Sequence, residues 1–224
     1  MYGFRIIANI ERASKELIEG FRGLCTGNIA DVLGRFHTTI GLRHFNNPGL
    51  HMVGTAFTVR TTASDNLMIH KAINMAEPGD VIVIEGEGNI SRALLGEIMC
   101  RMAQARGLAG FVVDGAIRDA AGIRNLDFPV YAKGINPAGP FKEGPGEINV
   151  PICCAGAVVH PGDILVGDDD GVVVIPKEQA EEVLVKAKEK AVEEAEIFKQ
   201  IAAGTVDRTW VDKILQAKGC KIII

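Results

Sequence analysis

Apolar residues recur along this chain in two spacings, which predict alternating strands and helices. Continuous apolar or Val- and Thr-rich runs predict strands at residues 52–62, 81–84, 110–114, 130–133, 164–166 and 172–175. Helical spacing predicts helices at about residues 14–21, 65–75, 92–106, 116–124 and 177–203, and a short one around Ile29 that Thr26 or Asn28 would cap. Strands that alternate with helices indicate an α/β or mixed layered domain.

Glycine and proline mark the turns between these elements. PGDVIVIEGEG (78–88) and PGDILVGDDDG (161–171) share a Pro-Gly-Asp turn, an apolar strand and an acidic glycine-containing loop. This echo is either convergent turn chemistry or a structural duplication, and neither interpretation names a function. Residues 86–89 are expected to form a flexible loop. Residues 134–149 hold four Gly and three Pro, which predicts a long loop of the kind that covers a site.

Composition and charge exclude several classes of protein. Of 224 residues, 47% are apolar and 23% are charged, which is typical of a globular chain and not of a disordered one. A net charge of −4 argues against nonspecific electrostatic binding to nucleic acid or acidic membranes. No apolar run is long enough to span a membrane, and charged residues interrupt the first twelve positions, unlike a secretory signal. We expect a soluble cytoplasmic protein.

The cysteines do not indicate a metal site. There are five of them, an odd number without CxxC spacing, at Cys25, Cys100, Cys153, Cys154 and Cys220. In an acidic intracellular chain they are expected to be reduced and mostly buried, with a vicinal disulfide at the adjacent pair as the alternative.

The stretch from Leu95 to Asp119 has the clearest potential for chemistry. Helix starts are predicted at Gly96–Met99 and at Gly115–Asp119, where free backbone amides can bind an anion, and Gly96 has no side chain to block the approach. Arg118 and Asp119 follow a predicted strand, at the end where α/β sheets usually bind ligands. Arginine can fork onto a carboxylate and aspartate can hold a hard cation. The alternative is a pair of solvated or salt-bridged residues in a first helical turn.

The C-terminal helix carries a carboxylate on its apolar stripe. The stripe is formed by Ala180, Val183, Leu184, Ala187, Ala191, Phe198, Ile201 and Ala202. Glu194 falls inside it, and a carboxylate on a burying face is costly unless it has a partner. The alternative is an edge residue that reaches water.

Other polar positions are weaker candidates. The run Asp168–Asp170 favours a solvated turn over a cation site, and His70 favours a structural histidine over a base. The residues alone assign no role to Asn66. Gly86–Gly88 lacks the spacing of a phosphate loop, and no Ser-His-Asp or Cys-His arrangement is visible.

Several motifs resemble one family of aldolases. They are VGTAFTV (53–59), DNLMIHKAI (65–73), PGDVIVIEG (78–86), GEIM (96–99), VVDGAIRD (112–119), FPVYAKG (128–134) and PGDILVGDDDGVVVIP (161–176). The chain resembles, from about residue 26 to 215, the class II metal-dependent 4-hydroxy-4-methyl-2-oxoglutarate/4-carboxy-4-hydroxy-2-oxoadipate aldolases, a family that includes the regulator of ribonuclease E activity A. The family motif is an acidic residue, twenty intervening residues and Arg-Asp, which Glu97, Arg118 and Asp119 match.

The resemblance implies a role for each matching residue. Asp119 is similar to the ligand of Mg²⁺ or Mn²⁺, and Glu97 to the acid that bonds the water around the metal. Arg118 resembles the group that binds the pyruvyl carboxylate and stabilises the enolate, and the backbone amides of Ile98 and Met99 beside Gly96 would complete that cradle. Glu194 matches a glutamate that reaches a neighbouring subunit's site.

The resemblance also implies a fold, an activity and an assembly. It predicts a layered swivelling β/β/α domain at about 1–176, followed by a helical extension at 177–224 that packs on a neighbouring subunit of a trimer or hexamer. The expected activity is cleavage of a 4-hydroxy-2-oxo acid to pyruvate and a second carbonyl compound, with possible oxaloacetate decarboxylation through the same enolate. The alternative is a non-catalytic regulator that binds a ribonuclease, and the long C-terminal helix favours the enzyme. A methyltransferase has no support in the sequence.

Overall fold

Strands alternate with helices over residues 52–135, and the elements within residues 146–175 are all strands. The structure is a computed structural model that describes residues 2–221 and 223. Its strands are β1 Phe4–Ile6, β2 Arg43–His44, β3 Met52–Thr61, β4 Asp80–Leu95, β5 Gly110–Ile117, β6 Val130–Ile135, β7 Gly146–Ile148, β8 Ile152–Cys154, β9 Ala157–Val159, β10 Ile164–Asp168 and β11 Gly171–Ile175. Its helices are α1 Lys15–Glu19, α2 Thr26–Val32, α3 Leu67–Met75, α4 Glu97–Ala105, α5 Ala120–Arg124, α6 Ala180–Ala203 and α7 Thr209–Ala217.

Nine strands of the described chain form one mixed sheet. Its main order is β1-β7-β3-β4-β5-β6-β2, and β10 and β11 extend from β3. The central strands β3, β4, β5 and β6 are mutually parallel. One edge of β3 is shared, because β10 pairs with its beginning and β7 with its end, both antiparallel. The hairpin of β8 and β9 forms a separate small sheet.

Both faces of the central sheet are buried, which explains the continuous apolar runs of its strands. In β4, Ile82 and Ile84 pack into the core that also contains residues of α3 and α4, whereas Val81 and Val83 face a second core beneath β8 and β9. A third core joins β10 and β11 to α1, α2 and the start of α6. This layered arrangement confirms the α/β fold predicted from the sequence.

The predicted loop at 86–89 and helix start at 92 are wrong. Residues 86–95 continue β4, which keeps pairing with β5 through bulges, so that Asn89 lies opposite Gly115 and Leu95 opposite Ile117. Glu87 and Gly88 have φ values of 59° and 64°, which places the extra residues of β4 in the bulge. The helix therefore begins only at Glu97, after Gly96.

The predicted helix start at Gly115–Asp119 is also wrong. Residues 115–117 extend β5, and α5 begins at Ala120. Asp119 precedes α5 in the left-handed conformation, with φ 59° and ψ 34°. The long-loop prediction for 134–149 needs a smaller correction, because β6 runs to Ile135 and β7 occupies its end.

The two Pro-Gly-Asp turns have the same local geometry. In each, the aspartate accepts the backbone N–H of the residue three positions before it, from Glu77 to Asp80 at 2.8 Å and from His160 to Asp163 at 2.7 Å. Both turns also bond β3, since the N–H of Thr55 donates to Gly79 and that of Ala56 to Asp163. The echo therefore marks two equivalent entries into strands that flank β3 on either side.

The chain forms two compact units, Met1–Ala187 and Lys188–Ile224. The first includes the start of α6, where Ala180, Val183 and Ala187 are buried. The domain boundary expected at residue 176 stays a prediction. Among the residues described, no helix combines the length and apolar character that crossing a bilayer requires.

All five cysteines are free thiols, so the alternative of a vicinal disulfide is not seen. Cys100 and Cys154 are buried, whereas Cys25, Cys153 and Cys220 are exposed, contrary to the expectation that most would be buried. Burial raises the pKa of Cys100 to about 12, which keeps this thiol protonated and unreactive.

Replacement of Arg12 by Ala is expected to destabilise the first unit. Asp80 is 1% exposed, and the guanidinium of Arg12 donates to both of its oxygens at 3.0 and 2.8 Å. The variant leaves this carboxylate buried without its cation, so the free energy of unfolding should fall by about 3 kcal/mol in denaturant titrations.

Arg22→Ala is the matched control. Arg22 makes a similar two-bond contact with Glu19, but both side chains are more than half exposed. Its loss should cost less than about 1 kcal/mol. Equal effects of the two substitutions would contradict the assignment of Arg12.

Candidate active site

The carboxyl ends of the four parallel strands meet at one edge of the sheet and supply the site. Asn66 follows β3, Gly96 follows β4, and Arg118 and Asp119 follow β5. The loop after β6, residues 136–143, covers the same edge. This is the edge at which α/β sheets bind ligands, because strand ends and helix starts converge there.

A cavity of about 210 Å³ lies among these segments. Its wall contains the predicted residues Gly96, Ile98, Met99, Arg118 and Asp119. The remaining lining residues are Asn66, His70, Leu94, Leu95, Gly139, Pro140 and Lys142. Five of the seven predicted site residues are thus brought to one cavity.

Arg118 and Asp119 are held against Gly96. The backbone N–H of Arg118 donates to the carbonyl of Leu95 at 3.0 Å, which fixes the end of β5 beside the end of β4. The side chains of Arg118 and Asp119 are 43% and 44% exposed, with 3.6 Å between Nε and Oδ2. A Cβ at Gly96 would overlap Oδ2 of Asp119 and approach Cγ of Arg118. The bare Gly96 is therefore what allows the two functional side chains to lie over the helix start.

The start of α4 confirms the helix N-terminus predicted at Gly96–Met99. Gly96 is extended, and the N–H of Glu97 donates to Oδ2 of Asp119 at 3.2 Å. The next two amides, of Ile98 and Met99, belong to the first helical turn beside the cavity. First-turn amides have no partner within a helix, so this position favours an anionic ligand.

The carboxylate of Glu97 binds Arg101 and does not line the cavity. Its Oε1 accepts from Nε and Nη2 of Arg101, at 2.8 and 2.6 Å, and its carboxylate lies over Gly122, where a Cβ would overlap it. Glu97 is not among the residues that line the cavity. Its expected role at the water around a metal stays a prediction.

Glu194 lies in the part of α6 that belongs to the second unit. It is half-buried, as is Ala191, whereas Phe198 and Ile201 farther along the same stripe are exposed. Its role in a neighbouring subunit's site stays a prediction.

Three polar residues of the cavity are not identified as site residues by the sequence alone. The sequence assigns no role to Asn66, favours a structural histidine at His70 and does not single out Lys142. The α3 signal could have found His70, because it lies one helical turn after Asn66 and so on the same side of that helix. Lys142 carries no such signal, since its place depends on how the loop folds back over the sheet.

The amide of Asn66 has an unused acceptor. Asn66 is 3% exposed, and its Nδ2 donates to the carbonyl of Leu94 at 2.9 Å. Within the described part of the chain, its Oδ1 accepts no hydrogen bond. A buried acceptor at a polar cavity favours a ligand that carries a donor group.

The cavity keeps its histidine neutral. The pKa of His70 is lowered from its ordinary value, first by burial and then by the positive charge of Lys142. Both effects disfavour the imidazolium form. At neutral pH His70 therefore presents one donor and one acceptor nitrogen.

The donor set at Asp119 fits a magnesium-type cation. In residues 2–221 and 223, no three His, Cys, Asp or Glu side chains are grouped as a complete metal cage. Mg²⁺ prefers oxygen ligands, usually keeps several waters and is held by one or two carboxylates. The half-exposed carboxylate of Asp119, in the cradle left by Gly96, has the chemistry that such a ligand requires, and its role as a metal ligand stays a prediction.

The run Asp168–Asp170 is used for structure. Asp168 accepts from the N–H and hydroxyl of Thr26 at 2.8 and 2.7 Å, and Asp169 contacts His44 and the N–H of Gly49. These bonds join the end of β10 and the turn after it to α2, to β2 and to the segment after β2. The interpretation as a turn is favoured over a cation site.

Residues 26–174 match the family model described as RraA-like, Aldolase/RraA. The chain belongs to the Aldolase/RraA family. A curated relative from Halalkalibacterium halodurans, named "Putative 4-hydroxy-4-methyl-2-oxoglutarate aldolase", is 46% identical over 182 residues, which are 81% of this chain and 86% of the relative.

Two solved structures share the fold of this chain. RraAS2 of Streptomyces coelicolor, described as an unusual member of the RNase ES inhibitor RraA protein family, has a TM-score of 0.77 and 29% identity, with coverage of 86% of this chain and 99% of that one. An uncharacterized protein from Pseudomonas syringae pv. tomato has a TM-score of 0.79 and 27% identity, with coverage of 88% and 97%. The family resemblance stated from the motifs is thereby confirmed.

Substitution of Lys142 by Met is expected to raise the pKa of His70. The variant removes the positive charge that disfavours the imidazolium, while burial remains, so the pKa should move part of the way back to its ordinary value. An NMR titration of the His70 ring protons measures the shift.

Lys15→Met provides the comparison, because Lys15 lies in the same compact unit and does not line this cavity. This control should leave the His70 titration unchanged. A Lys142→Met titration curve that coincides with the wild-type curve would refute the electrostatic effect of Lys142 on His70.

Proposed function

We propose that this chain is a divalent-metal-dependent lyase that cleaves a 4-hydroxy-2-oxo acid to pyruvate and a second carbonyl compound. The observation that carries the proposal is the convergence of Arg118, Asp119 and the start of α4 on one cavity. The name of the relative from Halalkalibacterium halodurans supports the same reaction class. Oxaloacetate decarboxylation is proposed as a second reaction, since it also passes through a pyruvate enolate.

Arg118 would bind the end of the substrate that becomes pyruvate. A guanidinium can donate two parallel hydrogen bonds to a carboxylate, and the amides of Ile98 and Met99 would add donors from the helix start. The same guanidinium lies next to the 2-oxo group of a substrate bound in this way. It can therefore stabilise the negative charge that develops on this oxygen during C–C cleavage.

Two further groups favour a substrate with polar substituents beyond the 2-oxo group. Lys142 supplies a second cation on the cavity wall, which favours a second carboxylate. The unused Oδ1 of Asn66 is an acceptor for a hydroxyl donor. A 4-hydroxy-2-oxo dicarboxylic acid has all of these groups.

The reaction moves one proton and one electron pair before the products separate. The 4-hydroxyl loses its proton, the C3–C4 bond breaks, C4 becomes a carbonyl, and the electron pair enters the enolate of pyruvate. Protonation of C3 then gives pyruvate. Neutral His70 is one acceptor for the hydroxyl proton, and water held by Glu97 and Glu194 is the other.

The family resemblance implies Mg²⁺ or Mn²⁺, and Asp119 is the residue that would hold it. When bound, the cation supplies Lewis acidity and orients the 2-oxo acid. Asp119 is held for this task by the N–H of Glu97, and its position over Gly96 keeps it next to Arg118.

A non-catalytic regulator of a ribonuclease is the alternative function. The description of the Streptomyces coelicolor relative as a member of a ribonuclease inhibitor family raises it. A surface that only binds another protein has no need of a cavity in which an arginine, a carboxylate and helix amides converge. Pyruvate release by the purified chain separates the two functions.

The proposal includes assembly and location. We propose self-association as a trimer or hexamer, in which residues 177–224 pack on a neighbouring subunit and Glu194 approaches its site. The partners are small 2-oxo acids and further copies of the chain, without nucleic acid or membrane, and the expected location is the cytoplasm.

Arg118→Ala is expected to lower kcat by at least about 10²-fold, which is typical of losing one preorganised charge-stabilising donor. The assay measures pyruvate with a coupled dehydrogenase, on a panel of 4-hydroxy-2-oxo acids and on oxaloacetate. Arg118→Lys keeps the positive charge but loses the two parallel donors of the guanidinium, so its kcat should lie between those of the wild type and Arg118→Ala.

Arg124→Ala controls for the loss of a nearby arginine, because Arg124 lies on α5 and does not line the cavity. It should retain the wild-type rate. Near-normal pyruvate release by Arg118→Ala would rule out the proposed role.

Asp119→Asn is expected to weaken binding of Mg²⁺ and Mn²⁺ and to remove metal-dependent activity. Asparagine tolerates the left-handed backbone at this position, so the substitution removes the charge without adding strain. Binding of Mn²⁺ is measured by electron paramagnetic resonance, independently of turnover, and activity is measured with EDTA and after Mg²⁺ is restored.

Asp170→Asn is the control, because it tests the acidic run between β10 and β11. It should bind Mn²⁺ like the wild type. If Asp170→Asn loses the metal and Asp119→Asn keeps it, the proposed metal ligand is wrong.

A further inference from the structure

Residues 136–143 form a loop that covers the cavity and is fastened at both ends. At its beginning, Nδ2 of Asn136 donates to the carbonyls of Ile90 and Ser91 at 2.9 Å, and the N–H of Ala93 donates to Ala138 at 2.8 Å. These bonds join the loop to the bulged end of β4.

The end of the loop is joined to the segment before α3. The N–H of Phe141 donates to Ser64 at 2.8 Å, the N–H of Asn66 donates to Phe141 at 3.0 Å, and the N–H of Glu143 donates to Asp65 at 2.6 Å. Between the two fastened ends lie Gly139 and Pro140, which face the cavity.

Arg92 contacts this middle part of the loop from outside the cavity. Its Nη1 donates to the carbonyl of Gly139 at 3.1 Å, and its guanidinium carbon lies 4.6 Å from the centre of the Phe141 ring. Within the described residues, the bond from Arg92 is the one hydrogen bond that Gly139 makes. Arg92 does not line the cavity, so its contacts reach the ligand only through the loop.

Gly139 lies directly against the guanidinium of Arg118. A Cβ built on Gly139 would be 3.0 Å from Nη1 of Arg118, closer than most side-chain contacts. A small outward movement of the loop would therefore free the guanidinium, and a small inward movement would displace it. The position of Gly139 limits where Arg118 can point.

We propose that Arg92 is a positioning residue, which fixes Gly139 and thereby holds the Arg118 guanidinium in the orientation that receives the substrate carboxylate. The inference rests on the proposed function of Arg118. It adds a second arginine, outside the cavity, to the determinants of substrate affinity. Arg92 acts on binding through geometry, without a contact to the substrate.

The experiment compares pyruvate binding and catalysis in Arg92→Gln and wild type. Gln keeps one amide donor but loses the charge, the fork and the contact with the ring. We expect the Kd for pyruvate in the presence of Mg²⁺, and the KM for the substrate, to rise about tenfold, the size of one lost charge-assisted hydrogen bond. Amide hydrogen exchange of residues 136–143 should become faster at the same time.

A double-mutant cycle separates positioning from general stability. If Arg92 acts through Arg118, then Arg92→Gln should weaken pyruvate binding in the wild-type background and have little effect in an Arg118→Lys background. A purely structural role would give the same factor in both backgrounds. Phe141→Leu removes the ring under Arg92 and should weaken pyruvate binding by a smaller factor than Arg92→Gln. Phe141→Tyr keeps the ring and should retain wild-type affinity for pyruvate.

Arg106→Gln is the matched control. Nη2 of Arg106 also donates to two backbone carbonyls, of Asn74 at 3.0 Å and Ala76 at 3.3 Å, but it does not line or border the cavity. This variant should bind pyruvate like the wild type. If Arg92→Gln fails to fold in thermal unfolding, Arg92→Lys and Phe141→Leu carry the same comparison.

The outcomes separate the two proposals. Unchanged pyruvate affinity in Arg92→Gln, with a wild type that binds and releases pyruvate, overturns the role of Arg92 and leaves the proposed function standing. Equal factors in the two Arg118 backgrounds also overturn it. A wild type that neither binds nor releases pyruvate overturns both proposals.

Discussion

The hydrogen bond between the Arg118 N–H and the Leu95 carbonyl closes the ladder of β4 and β5, and the geometry of the site depends on it. β4 has 16 residues and β5 has 8, so the surplus must leave the ladder before the strands end. It does so in bulges, since Glu85 lies opposite Asp114 and the next paired residue of β4, Asn89, lies opposite Gly115. Leu95 then returns alongside Ile117. A slip of one residue would turn Arg118 to the other face of the sheet.

The sequence predicts the centres of β3, β4, β5, β6, β10 and β11 well, because their apolar runs are buried on both faces. It does not predict the short strands β1, β2, β7, β8 and β9. It fails at 86–95 and 115–117, where Gly, Asn, Ser and Arg have low strand propensity and are held extended by pairing between distant segments. The same pairing brings Arg118 and Asp119 to Gly96. The rule that α/β sheets bind ligands at the carboxyl ends of their strands predicts this region of the fold, but it does not predict the individual contacts.

The side-chain details of the site differ in how far a sequence can reveal them. Glu97 and Arg101 have the i, i+4 spacing of a helical ion pair. The sequence alone therefore indicates that the Glu97 carboxylate can bind Arg101 instead of facing the cavity. Lys142 and Gly139 were not, because their places follow from a loop that crosses over the ends of other strands. Their contribution required the three-dimensional structure.

The cavity differs in charge from the chain as a whole. The chain carries a formal charge of −4, yet Arg118 and Lys142 stand with the single carboxylate of Asp119 on the cavity wall. Small anions are therefore attracted locally while the overall surface repels polyanions. The pKa of His70 is lowered first by burial and then by the positive charge of Lys142, which disfavours a charged imidazole while it favours a ligand carboxylate.

The way the sheet ends has a consequence for solubility. β3 is covered along its shared edge by β10, by the turn of Gly162 and Asp163, by Asn149 and by β7. The outer strands of the main order, β1 and β2, have three and two residues. Such short borders offer few open peptide groups for strand addition by another molecule. The outer side of β11 is bonded by residues 37–39, because the N–H of Thr39 donates to Val172 and the N–H of Val174 donates to His37, so these edges of the sheet are protected from edge-to-edge aggregation.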